Sequence, residues 1–174
     1  MEYKVKDVIK VIEDFAPLSL QEGWDNSGLC IGSPEDAVSS VLFGLDCTPE
    51  LVDEAVACGA DMIVTHHPLI FSGLKKISPD NKVGEAVIKA IRSGISIYAA
   101  HTSADKVIAG VSGAMAAKLG LVNVSILDED GEGTGLGVVG DLSEPLSADE
   151  AVSLVKERFA LKALRTSKPL DGRI

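Results

Sequence analysis

Three histidines and one aspartate stand where this sequence could bind a metal ion. His66 and His67 follow an apolar, β-branched run, and the proline directly behind them ends any ladder hydrogen bonding. His101 follows a second apolar run and precedes Asp105 by four residues. Imidazole and carboxylate ligands without thiolates suit a borderline divalent cation such as zinc, manganese, iron, cobalt or nickel. A single bound cation with an open coordination position would lower the pKa of its water to about 7 and generate a hydroxide nucleophile.

A purely structural role is the alternative for each histidine, since an imidazole at a strand end can simply satisfy backbone groups. That reading is the commoner one for a lone histidine, whereas an adjacent pair with a third histidine and a nearby aspartate favours a ligand site. Adjacency itself argues against chelation, because neighbouring side chains of a regular strand face opposite sides. Both rings of the pair can serve one site only if the backbone turns at Thr65 or His66, and Pro68 favours that turn.

The elements that must position these residues alternate between short strands and helices of roughly a dozen residues. Such alternation predicts right-handed crossovers and an α/β fold with a mainly parallel sheet and helices packed on it. The predicted helices lie at 5–15, 49–58, 79–93 and 111–119, and the predicted strands at 29–31, 38–45, 61–65 and 95–100, of which the first two form an antiparallel pair. Thr48 and Gly59 are the predicted caps of the second helix, and Ser78-Pro79 is the predicted start of the third.

Side chains that leave the carboxyl ends of successive strands meet at one edge of such a sheet. The three histidines, Asp46 and Asp105 all occupy such positions, so we expect them to converge there. Asp105 would bind the metal directly or orient an imidazole. Asp46 would orient an imidazole or act as a negative charge at a helix N-terminus.

The segment 18–28, which contains the glycine-rich stretch 23–28, predicts a loop between the first helix and the first strand of that pair. It holds the only tryptophan, Trp24, which favours an anchor that tucks the loop onto the core over a stacking platform for a base. Asp25 and Asn26 are turn formers. Their second interpretation, as groups that hydrogen-bond to a metal ligand and orient it, rests on the family resemblance described below.

Beyond residue 120 the pattern changes, and we divide the chain into an N-terminal α/β metal-site domain, 1–125, and the start of a second α/β repeat, 126–174. The segment 135–140 matches GxGxxG by letter, yet no helix follows it, which favours a closely packed strand over a dinucleotide site. The final residues read as the middle of an αβ unit, so we expect a truncated chain. The predicted elements here are strands at 121–127, 137–142 and 161–165, an acidic glycine loop at 128–137, a helix opened by a capping box at Ser147, a turn at Asp171-Gly172 and the first residue of a strand at Ile174.

The composition bounds the classes of function. A net charge of −10, from 26 acidic against 16 basic residues, argues against a nucleic-acid or anionic-membrane surface. Three cysteines without CxxC spacing argue against a disulfide framework or a thiolate zinc site and predict buried, free thiols. The charged N-terminus is unlike a signal peptide, and no apolar run reaches the roughly 18 residues of a membrane span, which together predict a cytoplasmic protein.

Three ordered motifs closely resemble the Nif-three-like family, widely labelled GTP cyclohydrolase 1 type 2 homologues. They are Gly23-Trp-Asp-Asn-Ser-Gly-Leu29, Thr65-His-His-Pro-Leu-Ile-Phe71 and His101-Thr-Ser-Ala-Asp105. The resemblance covers most of the chain and implies two intertwined α/β repeats with mixed sheets, a dinuclear divalent-metal site and a homohexameric ring. By matching positions, His66, His67, His101 and Asp105 are similar to the family's metal-site residues.

The chain departs from the family pattern in two places. Family members usually complete the metal site with a histidine and a glutamate from a C-terminal segment, and this chain has no histidine after His101. The family tends to have Gly-Gly-x-Asn where this chain reads Ala109-Gly-Val-Ser112. As given, the chain is therefore expected to hold metal incompletely.

The resemblance implies a metal-dependent hydrolase of a small-molecule, nucleotide-like substrate, with GTP ring opening and formate release as the reaction of the family label. The alternative is a non-catalytic metal-binding protein that acts as a ring-forming scaffold or regulator. A phosphoesterase of the Asp-His-His kind is less favoured, because Thr65 stands where that motif has its aspartate.

Overall fold

The computed structural model describes residues 2–167 of the chain. It divides into two compact units, Met1–Lys106 and Val107–Ile174. This division falls between residues 106 and 107, whereas the sequence analysis placed a domain boundary between residues 125 and 126. The interpretation of the two parts as α/β repeats stays a prediction.

A four-stranded mixed sheet forms the centre of the first unit, in the order β2-β6-β5-β4. The pairs β4·β5 and β5·β6 are parallel, and β2 pairs antiparallel with β6. The predicted α/β fold with a mixed, mainly parallel sheet is therefore confirmed. The strands of this unit are β1 (Tyr3–Lys4), β2 (Gly28–Ile31), β3 (Ala37–Val38), β4 (Val41–Gly44), β5 (Met62–Thr65) and β6 (Ser96–Ala99).

The predicted antiparallel pair of strands at 29–31 and 38–45 is wrong. β2 and β4 lie on opposite edges of the sheet, and the second run breaks into β3, which pairs with β1, and β4. The break falls where the Asp61 carboxylate accepts hydrogen bonds from the backbone N–H groups of Ser39, at 2.8 Å, and Ser40, at 3.1 Å. Those N–H groups are thereby withdrawn from strand pairing.

Five α-helices or short helical segments surround this sheet: α1 (Val5–Phe15), a 3₁₀ turn (Leu18–Leu20), α2 (Pro49–Cys58), α3 (Lys82–Ser93) and α4 (Thr102–Lys106). The predicted caps of α2 are confirmed, with Thr48 at the N-cap and Gly59 in the left-handed conformation, φ 72°. The predicted start of α3 at Ser78-Pro79 is wrong, because the side chain of Asn81 accepts from Gly84 N at 2.9 Å and caps the helix at Lys82. Sequence analysis missed α4, which is too short for an apolar period.

The two faces of the sheet bury separate apolar clusters, because alternate residues of a strand point to opposite sides. Ile63 and Ile97 join the cluster that contains Val52 of α2 and Ala86 of α3. Met62, Val64 and Tyr98 belong to the other cluster, which contains Val5 of α1. Helices cover both faces of the sheet, so the chain leaves the packed layers at the carboxyl end of the central strand β5.

The second unit contains α5 (Val111–Leu119), β7 (Val122–Gly131), β8 (Thr134–Asp141) and α6 (Ala148–Arg158). β7 and β8 form an antiparallel hairpin. The prediction of an acidic loop over 128–137 is wrong, since the strands run through most of it and only Glu132 and Gly133 lie between them. The capping box of α6 at Ser147 and Glu150 is confirmed.

The GxGxxG segment lies within β8, as a closely packed strand and not as a helix-opening loop. A Cβ on Gly135 would stand 2.1 Å from the carbonyl oxygen of Asp128 across the hairpin, so only glycine fits there. The predicted strand at 161–165 is absent from the described chain, and the expected turn at Asp171-Gly172 and strand start at Ile174 lie outside the described residues. Within residues 2–167, no helix has the length and apolar character needed to cross a bilayer.

Candidate metal centre

The three histidines lie together at the carboxyl edge of the parallel strands. Their ring centroids are 4.9 Å apart for His66 and His67, 5.1 Å for His66 and His101, and 5.6 Å for His67 and His101. One ring nitrogen from each histidine lies within 4.8 Å of one from each of the others. The group could therefore hold a metal ion.

A turn directly after β5 brings the adjacent pair onto one site. Backbone pairing continues past the strand, with His67 N donating to Leu45 O at 3.0 Å. The Thr65 hydroxyl then donates to the carbonyl of His67 at 2.8 Å and folds the chain back on itself. Because of this turn, the two imidazoles no longer alternate across the sheet as they would in a regular strand.

Each of the three rings uses its Nδ1 atom in a hydrogen bond to an oxygen. Nδ1 of His66 lies 3.0 Å from the carbonyl oxygen of Ala100, Nδ1 of His67 2.7 Å from Oδ1 of Asp46, and Nδ1 of His101 2.9 Å from Oδ1 of Asp25. Carbonyl and carboxylate oxygens only accept, so Nδ1 carries the proton in all three rings. In the neutral imidazole this leaves the Nε2 lone pair free as a ligand.

Asp25 has an enclosed carboxylate, with a side chain that is 0% exposed. Its carboxylate accepts from the ring of His101, the hydroxyl of Ser27, the backbone N–H groups of Asn26 and Thr102, and the Thr102 hydroxyl. Burial alone raises the pKa of Asp25, but these hydrogen bonds outweigh burial and hold the pKa well below its usual range. The group is an anion fixed behind His101.

The other predicted orienting residues differ in what they contact. Asp46, whose side chain is 60% exposed, accepts from the ring of His67. Asn26 instead donates its side-chain amide to the carbonyl of Ile70 at 2.6 Å, which ties its loop to the segment after the histidine pair. Asp105 lies at the cluster itself, with Oδ1 3.7 Å from Nε2 of His66.

The donor set fits a borderline divalent cation. Bonds of about 2.0–2.1 Å in a tetrahedral zinc site place ligand atoms roughly 3.4 Å apart, close to the 3.7 Å between His66 and Asp105. The 4.8 Å span of the histidine nitrogens is wider and suits either a slight contraction around one ion or a pair of ions. The carboxylates of Asp25, Asp46 and Asp105 around the three imidazoles favour a positive charge at this point.

The prediction that Trp24 anchors its loop in the core is wrong. Trp24 is 60% exposed and Phe71 is 51% exposed. Their ring centroids are 6.0 Å apart. Both rings lie beside His101, at 6.2 and 6.4 Å. Sequence reasoning missed Phe71 as part of this group, although it closes the same motif as the histidine pair.

Sequence analysis also gave no role to the groups that hold Asp25 and His66. Ser27 and Thr102 stand within the quoted motifs next to candidate residues, so their hydroxyls were available as a signal. The Ala100 carbonyl that fixes the ring of His66 is a backbone atom, and no residue type marks it. The free-cysteine prediction holds, but Cys58 is exposed, whereas Cys47 is buried.

A mixed α/β sheet with a histidine cluster at its carboxyl edge defines the class of protein, an α/β protein with a candidate metal centre. The chain belongs to the Duf34/NIF3 (NGG1p interacting factor 3) family, whose model matches residues 3–174. The sequence-based recognition of this family is confirmed.

Curated relatives and solved structures agree with this assignment. The chain is 39% identical over 177 residues to a GTP cyclohydrolase 1 type 2 homolog of Clostridium acetobutylicum, covering 100% of this chain and 66% of the relative. A protein of the same name from Clostridium perfringens is 37% identical over 171 residues, covering 97% and 65%. The chain therefore spans 65–66% of the length of these relatives. The crystal structure of a Bacillus cereus protein related to NIF3 superposes with a TM-score of 0.92 at 25% identity, covering 99% of this chain and 74% of that one.

Proposed function

We propose that this protein binds divalent metal through the histidine cluster and uses it to hydrolyse a nucleotide-like substrate. The observation that carries the proposal is the shared hydrogen-bonding pattern of the three imidazoles. Each Nδ1 lies at hydrogen-bond distance from an oxygen, which leaves the Nε2 lone pair of each ring available. One ring nitrogen from each histidine lies within 4.8 Å of one from each of the others. The convergence of three such rings distinguishes this group from a histidine that only satisfies backbone groups.

His66, His67, His101 and Asp105 are the proposed ligands, and two ions chosen from zinc, manganese, iron, cobalt and nickel are the proposed complement. Asp25 and Asp46 would hold the rings of His101 and His67 in the ligating orientation and raise their basicity. A bound divalent cation with an open position supplies Lewis acidity and lowers the pKa of a water molecule. Asn26 would contribute by fixing the loop that carries Asp25.

The proposed substrate class follows from the relatives. They carry the name GTP cyclohydrolase 1 type 2 homolog, so ring opening of GTP with release of formate is the first reaction to test. The chain carries a net charge of −10, so a polyphosphate would approach it unfavourably unless a cation reverses the local field. A metal at this edge would therefore serve substrate capture as well as chemistry. We place the protein in the cytoplasm.

A metal-binding scaffold without catalytic activity is the second candidate. It requires only the histidine cluster, which could hold a metal ion without any further catalytic group. In this function the ions would stabilise a homo-oligomeric ring, with a hexamer as the proposed state. Incubating metal-loaded protein with GTP and measuring released formate separates the two functions. Absence of turnover at full metal occupancy would support the scaffold.

Replacing His66 and His67 together by alanine tests the metal site itself. We expect elemental analysis of protein purified without a histidine tag to find bound divalent metal in the original chain and none in the double variant. The circular dichroism spectrum should be unchanged, because both rings lie at the sheet edge outside the two core clusters.

Two aspartate substitutions, one at the candidate site and one away from it, provide a matched comparison. Asp105→Asn removes a proposed ligand, whereas Asp53→Asn removes an exposed carboxylate that pairs only with Lys89 among the contacts described for it. We expect metal content to fall in the first variant and to stay at the original level in the second. Unchanged metal in the histidine double variant would rule out the proposed site.

A further inference from the structure

Two exposed aromatic rings border the histidine cluster. Trp24 and Phe71 come from different loops and stand 6.0 Å apart with an interplanar angle of 49°. Each also meets the ring of His101 edge to face, at 74° and 81°. An indole that is 60% exposed and a phenyl ring that is 51% exposed thus leave apolar faces in water directly beside a polar cluster.

Exposure alone does not single these two rings out, because Tyr3, Phe15 and Phe43 are exposed to a similar degree. Their position distinguishes them: among the residues that the structure describes, Trp24 and Phe71 are the aromatic side chains whose rings contact the histidines. Neither ring contributes to the two buried clusters of the sheet. Folding of this unit therefore gives no reason for large apolar groups at this place.

Hydrogen bonds fix the loop of Trp24 on both sides of the indole. On one side Glu22 N donates to the Thr102 hydroxyl at 2.9 Å. On the other side Asn26 donates its amide to the carbonyl of Ile70, the residue before Phe71, at 2.6 Å. The second bond joins the two aromatic residues' loops directly. A surface held in place before binding loses little conformational entropy when a ligand arrives.

We propose that Trp24 and Phe71 form a stacking subsite for a planar heteroaromatic ring, such as a nucleobase, next to the histidine cluster. Stacking on an aromatic side chain requires no charge on the ligand. An acidic protein can therefore bind a neutral ring by stacking, whereas its negative charge repels a phosphate group unless a cation is bound. A planar ring suits two aromatic side chains tilted at 49° to each other, because it can stack on the face of either one. The inference rests on the proposed function, because it names the part of a nucleotide-like substrate that these residues would recognise.

Trp24 is the only tryptophan of the chain, so its fluorescence reports on this subsite directly. The probes are guanosine, which carries the ring without phosphate, GTP, and inorganic triphosphate, which has no ring. On metal-free protein we expect guanosine to quench the emission of Trp24 saturably and triphosphate to leave it unchanged; on metal-loaded protein we expect GTP to quench it as well. Titrations are made on metal-free and on metal-loaded protein, so that ring binding is measured apart from metal binding.

Phe71→Ala and Phe43→Ala form a matched pair, since both remove an exposed phenyl ring and only the first lies beside His101. Loss of one stacking partner lowers affinity on the order of 10- to 100-fold. We expect Phe71→Ala to weaken guanosine binding by that factor and Phe43→Ala to leave it unchanged. Calorimetry on Trp24→Ala and Trp24→Phe extends the test, with the alanine variant weakened in the same way and the phenylalanine variant largely rescued.

The outcomes separate this subsite from the hydrolase. If GTP is hydrolysed but guanosine leaves Trp24 emission unchanged and Phe71→Ala leaves KM unchanged, the subsite is refuted and the hydrolase stands. If guanosine binds with the expected variant pattern while neither metal nor turnover is found, the subsite stands without the hydrolase. A changed oligomeric state in Trp24→Ala, with guanosine binding unaffected, would assign the rings to an interface between copies and overturn the proposal.

Discussion

Asp25→Asn tests whether the buried carboxylate orients His101 of the candidate metal centre, because the substitution keeps the size of the side chain while removing its charge. The aspartate accepts hydrogen bonds on both oxygens, from His101 and Asn26 on Oδ1 and from Ser27 and Thr102 on Oδ2. An asparagine has one accepting oxygen and one amino group that only donates.

The expected loss of stability follows from fitting the asparagine amide into the position of the carboxylate. With its oxygen towards His101, the amino group points at the backbone N–H of Thr102, and a donor then faces a donor. The flipped amide is worse, because the amino group then opposes both the N–H of Asn26 and the protonated Nδ1 of His101. At least one hydrogen bond to a charged acceptor is lost and its donor stays buried, so we expect the free energy of unfolding to fall by about 2–3 kcal/mol.

Metal binding should weaken as well. The neutral amide no longer supports the basicity of His101, and changes in such supporting groups reduce metal affinity roughly 10- to 100-fold. Denaturant unfolding measures the first effect, and competition against a chelator measures the second. Asp14→Asn is the control, since this carboxylate is 65% exposed and pairs with Lys10 at the surface. The reasoning would be refuted if Asp25→Asn matched the control within about 0.5 kcal/mol.

The pH dependence of stability gives this prediction a second signature. The pKa of Asp25 in the folded protein lies below that of an unfolded aspartate, about 3.9. Its ionisation therefore stabilises the fold fully above the unfolded value, and this contribution is lost as pH falls towards the lowered folded value. We expect the difference in stability between the original chain and Asp25→Asn to be constant near neutrality and to shrink below about pH 4.

Two further predictions concern the rest of the chain. Gly135→Ala would place a methyl group 2.1 Å from the carbonyl oxygen of Asp128. We expect the free energy of opening the β7–β8 hairpin to fall by about 1–3 kcal/mol, as measured by hydrogen exchange of its amides. Unchanged protection of these amides would contradict the close packing. Burial raises the pKa of Cys30 to about 11 and of Cys47 to about 12, whereas Cys58 is exposed. An alkylating reagent at mildly alkaline pH should therefore label Cys58 first and the other two only on unfolding, as mass spectrometry would detect, and simultaneous labelling would exclude this order.

Local signals were sufficient wherever one short segment decides the outcome. Thr48 and Gly59 bound α2 as predicted, because a capping hydroxyl and a left-handed glycine act within a few residues of the helix end. Ser147 and Glu150 opened α6 for the same reason. Pairing of strands was predicted less well: 29–31 was matched with 38–45, yet β2 pairs with β6, from a distant part of the chain.

The loop of Trp24 illustrates the same limit at the site. Its composition correctly predicted a loop, but whether the indole lies in the core or on the surface depends on what the loop is tied to. Here the ties run to Thr102 and Ile70, which are 80 and 44 residues away from their partners in the loop. Residue types at positions 23–28 carry no information about such partners.

By itself, the sequence determined that the three histidines and Asp46 follow the ends of neighbouring strands, because β-branched runs and their breakers are local patterns. Asp105 was expected at such an end too, but it lies within α4. The sequence also determined the family, through three motifs in order. Only the tertiary structure decided that the rings of the adjacent pair lie together with that of His101 and that Nδ1 of each ring meets an oxygen. Which nitrogen of an imidazole keeps its lone pair depends on which nitrogen donates its proton to an oxygen. The oxygens that accept from His66, His67 and His101 belong to residues 34, 21 and 76 positions away in the sequence.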